Sequence, residues 1–431
     1  MNYQNVLLIY PGPDEIKSYR FGYSLLLLYI ASDLRSHGHN VSIADYSVLS
    51  YSAEDLAERC ASADACIIEL DAFPLKRAVN FRNGETVARD IKKINPEILT
   101  IAAGKQCSLS KTAFDSFDLV ISGDTEVYFS EMFEKDEPVP DSKFISAGTL
   151  ESLACLPMPA WDLLTMEQIC GRTSTHNMHL KPSALFETSR GCPGKCTFCQ
   201  RHGWRDRVLT LPLDAIEERF RYLLEHGIRN VWIADDNFAS NLDFAKSVLR
   251  VFSRLNNGQI KISLSAWVHI DTEFLDLAKA AGVSVISFGI ETTSIKSQSF
   301  YRKRINLDKL ADTLGYADRL GIYTVGNFII GSPFDTEESV MDDLDFAIKS
   351  PLDVINVKRL DYMNGSALFE TLPESCRNEI HVFASQENGL CALTDSEIKR
   401  LSKKFSQEFN RTRARKILSK IEKFGPPYYK E

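Results

Sequence analysis

Short apolar runs alternate with amphipathic stretches twice along this chain, on either side of a proline-rich interruption, and that pattern restricts it to layered α/β architectures. Within residues 1–135 the runs 6–10, 41–44, 65–70, 99–102 and 119–121 predict strands. Helices are expected at 24–37 and 84–94, with Gly38 placed to stop the first in a left-handed conformation. This alternation implies a parallel, doubly wound, Rossmann-like sheet. Pro138, Pro140, Pro157 and Pro159 break any long element, so 136–180 reads as a linker. From 181 to 374, predicted strands at 184–188, 230–234, 261–267, 284–290, 323–330 and 354–359 alternate with helices at 213–226, 242–255, 273–281, 307–320 and 337–349. Six such strands describe a partial (β/α)6 barrel of the TIM type, whose chemistry lies at the C-terminal strand ends.

Residues 375–431 form a C-terminal helical region. Thr394 and Asp395 are expected to cap a helix running to Lys423, which carries ten Lys or Arg against four Asp or Glu. A solvated helix packed on the barrel is expected; binding of an acidic substrate or a carrier protein is the alternative. The formal charge of −8 leaves no basic excess to neutralise phosphates, so nucleic acid is not the expected partner. The longest apolar stretch, 25–31, falls far below the roughly 18 residues that suggest a membrane span. Met1 to Asn5 lacks the basic start of a secretory signal. Ten cysteines, thin apart from one cluster, do not resemble a disulfide framework, and a cytoplasmic setting is expected.

The cluster lies in Glu187-Thr188-Ser189-Arg190-Gly191-Cys192-Pro193-Gly194-Lys195-Cys196-Thr197-Phe198-Cys199-Gln200, directly after the first barrel strand. Three thiolates within eight residues can wrap one soft-metal centre, and Gly191 and Gly194 allow tight backbone turns. Cubane clusters usually take four cysteines, so three leave one iron open to a substrate or cofactor. Spacing alone also permits zinc, with His202 completing a Cys3His set.

Cys-x3-Cys-x2-Cys at this position resembles the radical SAM superfamily, and the preceding Thr-Ser-Arg-Gly-Cys-Pro is similar to its cobalamin-binding branch. The resemblance runs from Val6 to about Leu372. It implies that Cys192, Cys196 and Cys199 hold a [4Fe-4S] cluster whose fourth iron chelates the amino and carboxylate groups of S-adenosylmethionine (SAM). Phe198 would lie by the adenine. Asp235 and Asp236, after the second strand, would bind the methionyl amine, with helix capping or a salt bridge as the other reading. Glu291 of Gly289-Ile290-Glu291 becomes a candidate for the ribose. Asn327 and Gly331 belong to an element supporting adenine, in which Phe334 replaces the second glycine and Asp335 the usual glutamate. Arg302, with Lys303 and Arg304, would face the SAM carboxylate or else form a solvated loop.

In the resembled branch the front domain binds cobalamin, and the cobalt passes a methyl group to the substrate radical. Asp45 and Gly123-Asp124-Thr125-Glu126 fit that domain. Ala103-Gly104 stands where paired glycines are usual, however, and a backbone approaching a bulky ligand tolerates no side chain. No Asp-x-His-x-x-Gly occurs in residues 1–150 to supply a cobalt ligand. The expectation is a radical SAM enzyme acting on a small metabolite, as a cobalamin-dependent methyltransferase. Cobalamin-independent radical dehydration, oxidation or rearrangement, and a zinc-stabilised binding protein, are the alternatives. An external donor such as flavodoxin or ferredoxin would reduce the cluster. Substrate contacts are expected among Trp267, His269, Tyr323, Asn327, Lys358, Arg359, Asp361 and Tyr362.

Overall fold

Aliphatic residues bury both faces of the first three central strands, as parallel strands covered by helices on each side require. The computed structural model describes residues 3–14, 23–71, 79–109, 114–134, 142–165, 183–200, 207–377 and 380–428. It divides into two units, Met1–Leu185 and Phe186–Glu431.

In the first unit the order is β1 (Asn5–Tyr10), α1 (Leu25–Ser36), β2 (Asn40–Asp45), α2 (Ala53–Cys60), β3 (Ala65–Glu69), α3 (Phe81–Ile94), β4 (Leu99–Gly104), β5 (Leu119–Ser122), α4 (Phe129–Glu134) and β6 (Phe144–Ser146). The sheet runs β2-β1-β3-β4-β5-β6, with every pair parallel. Alternation along each strand feeds two apolar layers. Leu7, Ile9 and Ile68 pack with Val87 and Ile91 of α3 on one side, while Val6, Leu8 and Ile67 pack with Ile30 and Leu34 of α1 on the other. Ser24 caps α1 by accepting from Leu27 N, and Gly38 follows it at φ 89°. The polar α2, the six-residue α4 and the three-residue β6 are additions to the expected set, each too short for a clear periodic signal.

The second sheet takes β7 (Ser183–Phe186), β10 (Asn230–Ile233), β11 (Lys261–Ala266), β12 (Val283–Glu291), β13 (Tyr323–Ile330) and β14 (Val354–Arg359) in chain order across it. A two-residue ladder, β8 (Ser189–Arg190) with β9 (Leu209–Thr210), precedes β10. Outer helices are α5 (Leu213–Glu225), α6 (Leu242–Asn256), α7 (Thr272–Ala281), α9 (Leu307–Arg319) and α10 (Glu337–Lys349), with a short α8 (Ile295–Phe300) between β12 and α9. The result is the expected partial barrel. A small pair, β15 (Asp361–Met363) and β16 (His381–Phe383), leads to the long α11 (Asp395–Phe424).

Thr394 and Glu397 form a reciprocal capping box at the start of α11. Thr394→Ala is expected to cost about 1 kcal/mol, read from the denaturant midpoint. The basic residues of α11 serve its packing. Arg413 donates to the carbonyls of Ala347, Ile348 and Ser350 at 2.6–2.8 Å, Arg400 pairs with Glu337, and Lys416 and Lys420 both reach Asp353. Among the described residues no helix is long and apolar enough to cross a membrane.

Candidate active site

Strand β7 stops at Phe186, two residues earlier than the apolar pattern suggests, because Thr188 is drawn to the end of β10. Asp235 Oδ1 accepts from Thr188 N at 2.7 Å, and Oδ2 accepts from the hydroxyls of Thr188 and Ser189 at 2.5 and 2.7 Å. Burial pushes the Asp235 carboxyl up, and these bonds oppose it. Next to it, Asp236 Oδ2 accepts from Gly191 N at 2.9 Å. The two acids thus clamp the entry to the cysteine loop. For Asp235 this corrects the expected contact with a methionyl amine: it is 3% exposed, and both oxygens are engaged by Thr188 and Ser189.

The other end of the loop is held by α8 and by the segment after β15. Thr197 donates from N to Tyr301 O and from its hydroxyl to Phe300 O, while its carbonyl accepts from Leu368 N at 2.9 Å. Gln200 donates to Asn364 O. The Phe198 ring lies edge-on to Tyr301 at 5.3 Å. Between these anchors the backbone passes the ring of Trp267 so closely that a Cβ at Gly194 would come within 2.5 Å of it and 3.3 Å of Cys192 Sγ.

Cys192, Cys196 and Cys199 are all half-buried on this loop. Burial pushes the Cys196 thiol up to about 12; the Lys303 ammonium opposes this, while Cys199, Glu291 and Cys192 add to it. A bound iron draws such a proton off, so the donor set suits a metal centre. Among the described residues no three His, Cys, Asp or Glu side chains converge on a single ion. Cysteines of a cubane bind separate irons and need not converge so. His202 lies outside the described residues.

Glu291 ends β12 with φ 62° and pairs with Lys303 at 2.6 Å. Burial lowers the Lys303 pKa, but Glu291 and the Cys196 and Cys199 thiols outweigh it and hold the group cationic. Lys303, rather than Arg302, is therefore the member of the basic triplet turned toward the cysteines. Arg302, at φ 51°, is exposed, in keeping with the solvated-loop alternative for that residue. Position in a run of three cations does not reveal which one points inward.

Asn327 donates to Ser287 Oγ at 2.8 Å and Phe288 O at 2.9 Å and accepts from Asn356, tying three strands together. Gly331, at φ 117°, donates to Asp335 Oδ2, and Asp335 also accepts from Ser332 and Ser297. Asp335 thus performs a turn-fixing task that a shorter acid can perform. Of the expected substrate contacts, Trp267 joins the cysteine loop. Tyr323 donates to Gly425 O at the opposite strand end, Arg359 binds Asp395 and Ala384 O, and Asp361 meets His381 at 3.3 Å. Tyr362 is buried and His269 exposed. Gln298 and Tyr301, neither singled out from the sequence, line the turn behind Lys303; Gln298 O accepts from Lys303 N.

In the first unit, Gly104 and Gly123 adopt φ 143° and 104° at the ends of β4 and β5. Asp45 accepts from Ser47, and Asp124 pairs with Lys105 at 3.0 Å. Thr125 Oγ1 is buried without a hydrogen-bond partner among the described residues.

The Radical SAM superfamily model matches residues 186–347. An uncharacterized methyltransferase of Pyrococcus horikoshii is 26% identical, over 86% of this chain and 83% of the relative. Cytidylyl-2-hydroxyethylphosphonate methyltransferase of Streptomyces wedmorensis is 25% identical, over 96% of this chain and 91% of its own length. Among solved structures, the methyltransferase TsrM of Kitasatospora setae, with cobalamin and a [4Fe-4S] cluster bound, superposes with TM-score 0.68 at 14% identity, covering 85% of this chain and 74% of that one. OxsB, with aqua-cobalamin and SAM bound, gives TM-score 0.68 at 15% identity over 93% and 66%. The last two establish likeness of fold. The matched stretch begins at the last residue of β7, takes in the cysteine loop and ends in α10, so this part of the second unit is a domain of the Radical SAM superfamily.

Proposed function

We propose that Cys192, Cys196 and Cys199 hold the [4Fe-4S] cluster and that the enzyme methylates a small molecule with the help of cobalamin. The observation that carries this reading is the three-thiol loop after the first barrel strand, braced at Asp235 and Asp236 on one side and at Tyr301 on the other. When bound, the cluster supplies the electron that cleaves SAM to a 5′-deoxyadenosyl radical. Lys303 keeps a positive charge beside the thiolates, and Glu291 fixes its ammonium. Trp267 closes over Gly194 and excludes water from that side of the loop. Phe198, braced by Tyr301, offers an aromatic surface for adenine. The electron comes from an external donor such as flavodoxin or ferredoxin.

Cobalamin, when bound, supplies the methyl group. Likeness of fold to cobalamin-bound TsrM and OxsB, over 85% and 93% of this chain, supports its binding by the first unit. The names of the relatives agree with methyl transfer. Side chains at Ala103 and Thr125, where glycines are usual in the branch, favour the second reading, radical chemistry without cobalamin.

One anaerobic experiment separates them. Reconstituted protein given SAM and reductant is assayed for iron, sulfide, cobalamin absorption, 5′-deoxyadenosine and S-adenosylhomocysteine. Both nucleoside products with bound cobalamin are expected; deoxyadenosine alone, with no cobalamin absorption, would sink the methyl-transfer reading. Gly194→Ala is expected to leave the fold intact and reduce bound iron, because its Cβ must displace Trp267 or Cys192 Sγ. Wild-type iron content in that variant would contradict the close approach.

A further inference from the structure

The last barrel strand carries a cation that the cysteine loop does not use. On β13, Phe328 packs against Phe405 of α11 at 5.1 Å, so its neighbours Asn327 and Ile329 face the barrel interior. Asn356 on β14 shares that interior face, since it donates to Asn327 Oδ1 at 3.0 Å. Lys358, two residues further and level with Ile329, lies on the same face at the C-terminal end of the strand. The Glu291–Lys303 pair is there too, because a Cβ on Gly289, level with Asn327, would run into it.

Lys358 is solvent-exposed and makes no hydrogen bond or ion pair with the described residues. Its negative neighbour, Glu291, is committed to Lys303. Its cationic neighbour, Arg359, is committed to Asp395 and Ala384 O. Ser287, Asn327, Ile329 and Asn356, which share this face, are uncharged. Lys358 is partly enclosed by the protein while remaining open to solvent, and that enclosure pulls its pKa down against the opposing charge of Glu291. A partner charge bound there gains charge-assisted hydrogen bonds in a medium less polarisable than bulk water.

Building on the radical SAM reading, we infer that Lys358 anchors the substrate through an oxyanion, a carboxylate or a phosphoryl group, and that the substrates are small anionic molecules. Lys303, which acts on Cys196 and Cys199, sits with Glu291 on the same face, so the anchored anion lies on the side of the barrel that carries the thiols.

The test uses cluster-loaded, SAM-bound protein titrated calorimetrically with ethylphosphonate and, separately, with propionate. The two probes share a two-carbon tail and differ in the oxyanion, so the tighter binder tells which group the site takes. Saturable binding of at least one is expected. Lys358→Met should weaken it by roughly ten- to a hundredfold, and Lys358→Arg should restore most of the loss. The inference is overturned if neither anion binds the wild type, if Lys358→Met binds as tightly as the wild type, or if the variant loses affinity for SAM instead. Titration reads binding without turnover, so absence of methyl transfer would leave this inference standing, and its failure would leave SAM cleavage untouched.

Discussion

Cys196→Ala is expected to abolish SAM cleavage and to remove the iron–sulfur absorbance of reconstituted protein. Cys196 is the central thiol of the loop, and its electrostatic neighbours are Cys199, Cys192, Glu291 and Lys303. Removing it takes away one of three anchors, and two thiolates cannot hold a cluster that ordinarily has four. The remaining protein should fold, because the loop is fixed through Asp235, Asp236 and Thr197 rather than through its thiols. Iron and sulfide analysis, deoxyadenosine production and circular dichroism check this together. A variant with full iron content and normal cleavage would remove Cys196 from the ligand set.

The second large effect is on stability. Asp353 is 1% exposed and accepts from Lys420 at 2.7 Å, Lys416 at 2.8 Å and Thr324 N at 2.9 Å. Lys420 is itself buried and also bonds Asp318 and Ile322 O. Asp353→Ala removes the more buried of the two carboxylates that Lys416 and Lys420 share and leaves both ammonium groups with Asp318 alone. Breaking a buried pair from one side costs about 3–5 kcal/mol, which at about 2–4 °C per kcal/mol is a drop of roughly 6–20 °C in Tm for a unit of this size. Adding Lys420→Met should recover part of that loss, because the buried charge goes with its partner. A Tm unchanged in Asp353→Ala would show that α11 does not depend on these ions. The pH dependence has a defined sign. Burial raises the Asp318 carboxyl, but Lys420 and Lys416 outweigh it and hold the group below its ordinary value. Its contribution is therefore complete above the unfolded carboxylate pKa of about 4 and is lost as pH falls through the lower folded value.

The strand and helix framework was legible because the central strands, such as β3 and β4, are short apolar runs buried on both faces, and outer helices such as α7 and α10 have a capping residue and an apolar stripe. Polar α2 and three-residue β6 escaped, since neither carries enough periodic residues to stand above its surroundings. At the site, the spacing of the three cysteines made them candidates for one metal centre without choosing between iron–sulfur and zinc. Asp235 was legible as a strand-end acid, but its task was not, because its partners Thr188 and Ser189 lie 47 and 46 residues away in sequence.

The sequence by itself determined the two α/β layers, the cysteine loop after the first barrel strand and the long capped helix at the end, all properties of residues near one another in the chain. Only the tertiary structure decided how the charges divide their work. Lys303 faces the cysteines while Arg302 faces water, and Lys416 and Lys420 are locked to Asp353 while Lys358 is left to meet a ligand. Each of these cations has the same chemistry in the sequence. What separates them is which carboxylate folding brings within 3 Å, and that depends on contacts between distant segments that no local pattern encodes.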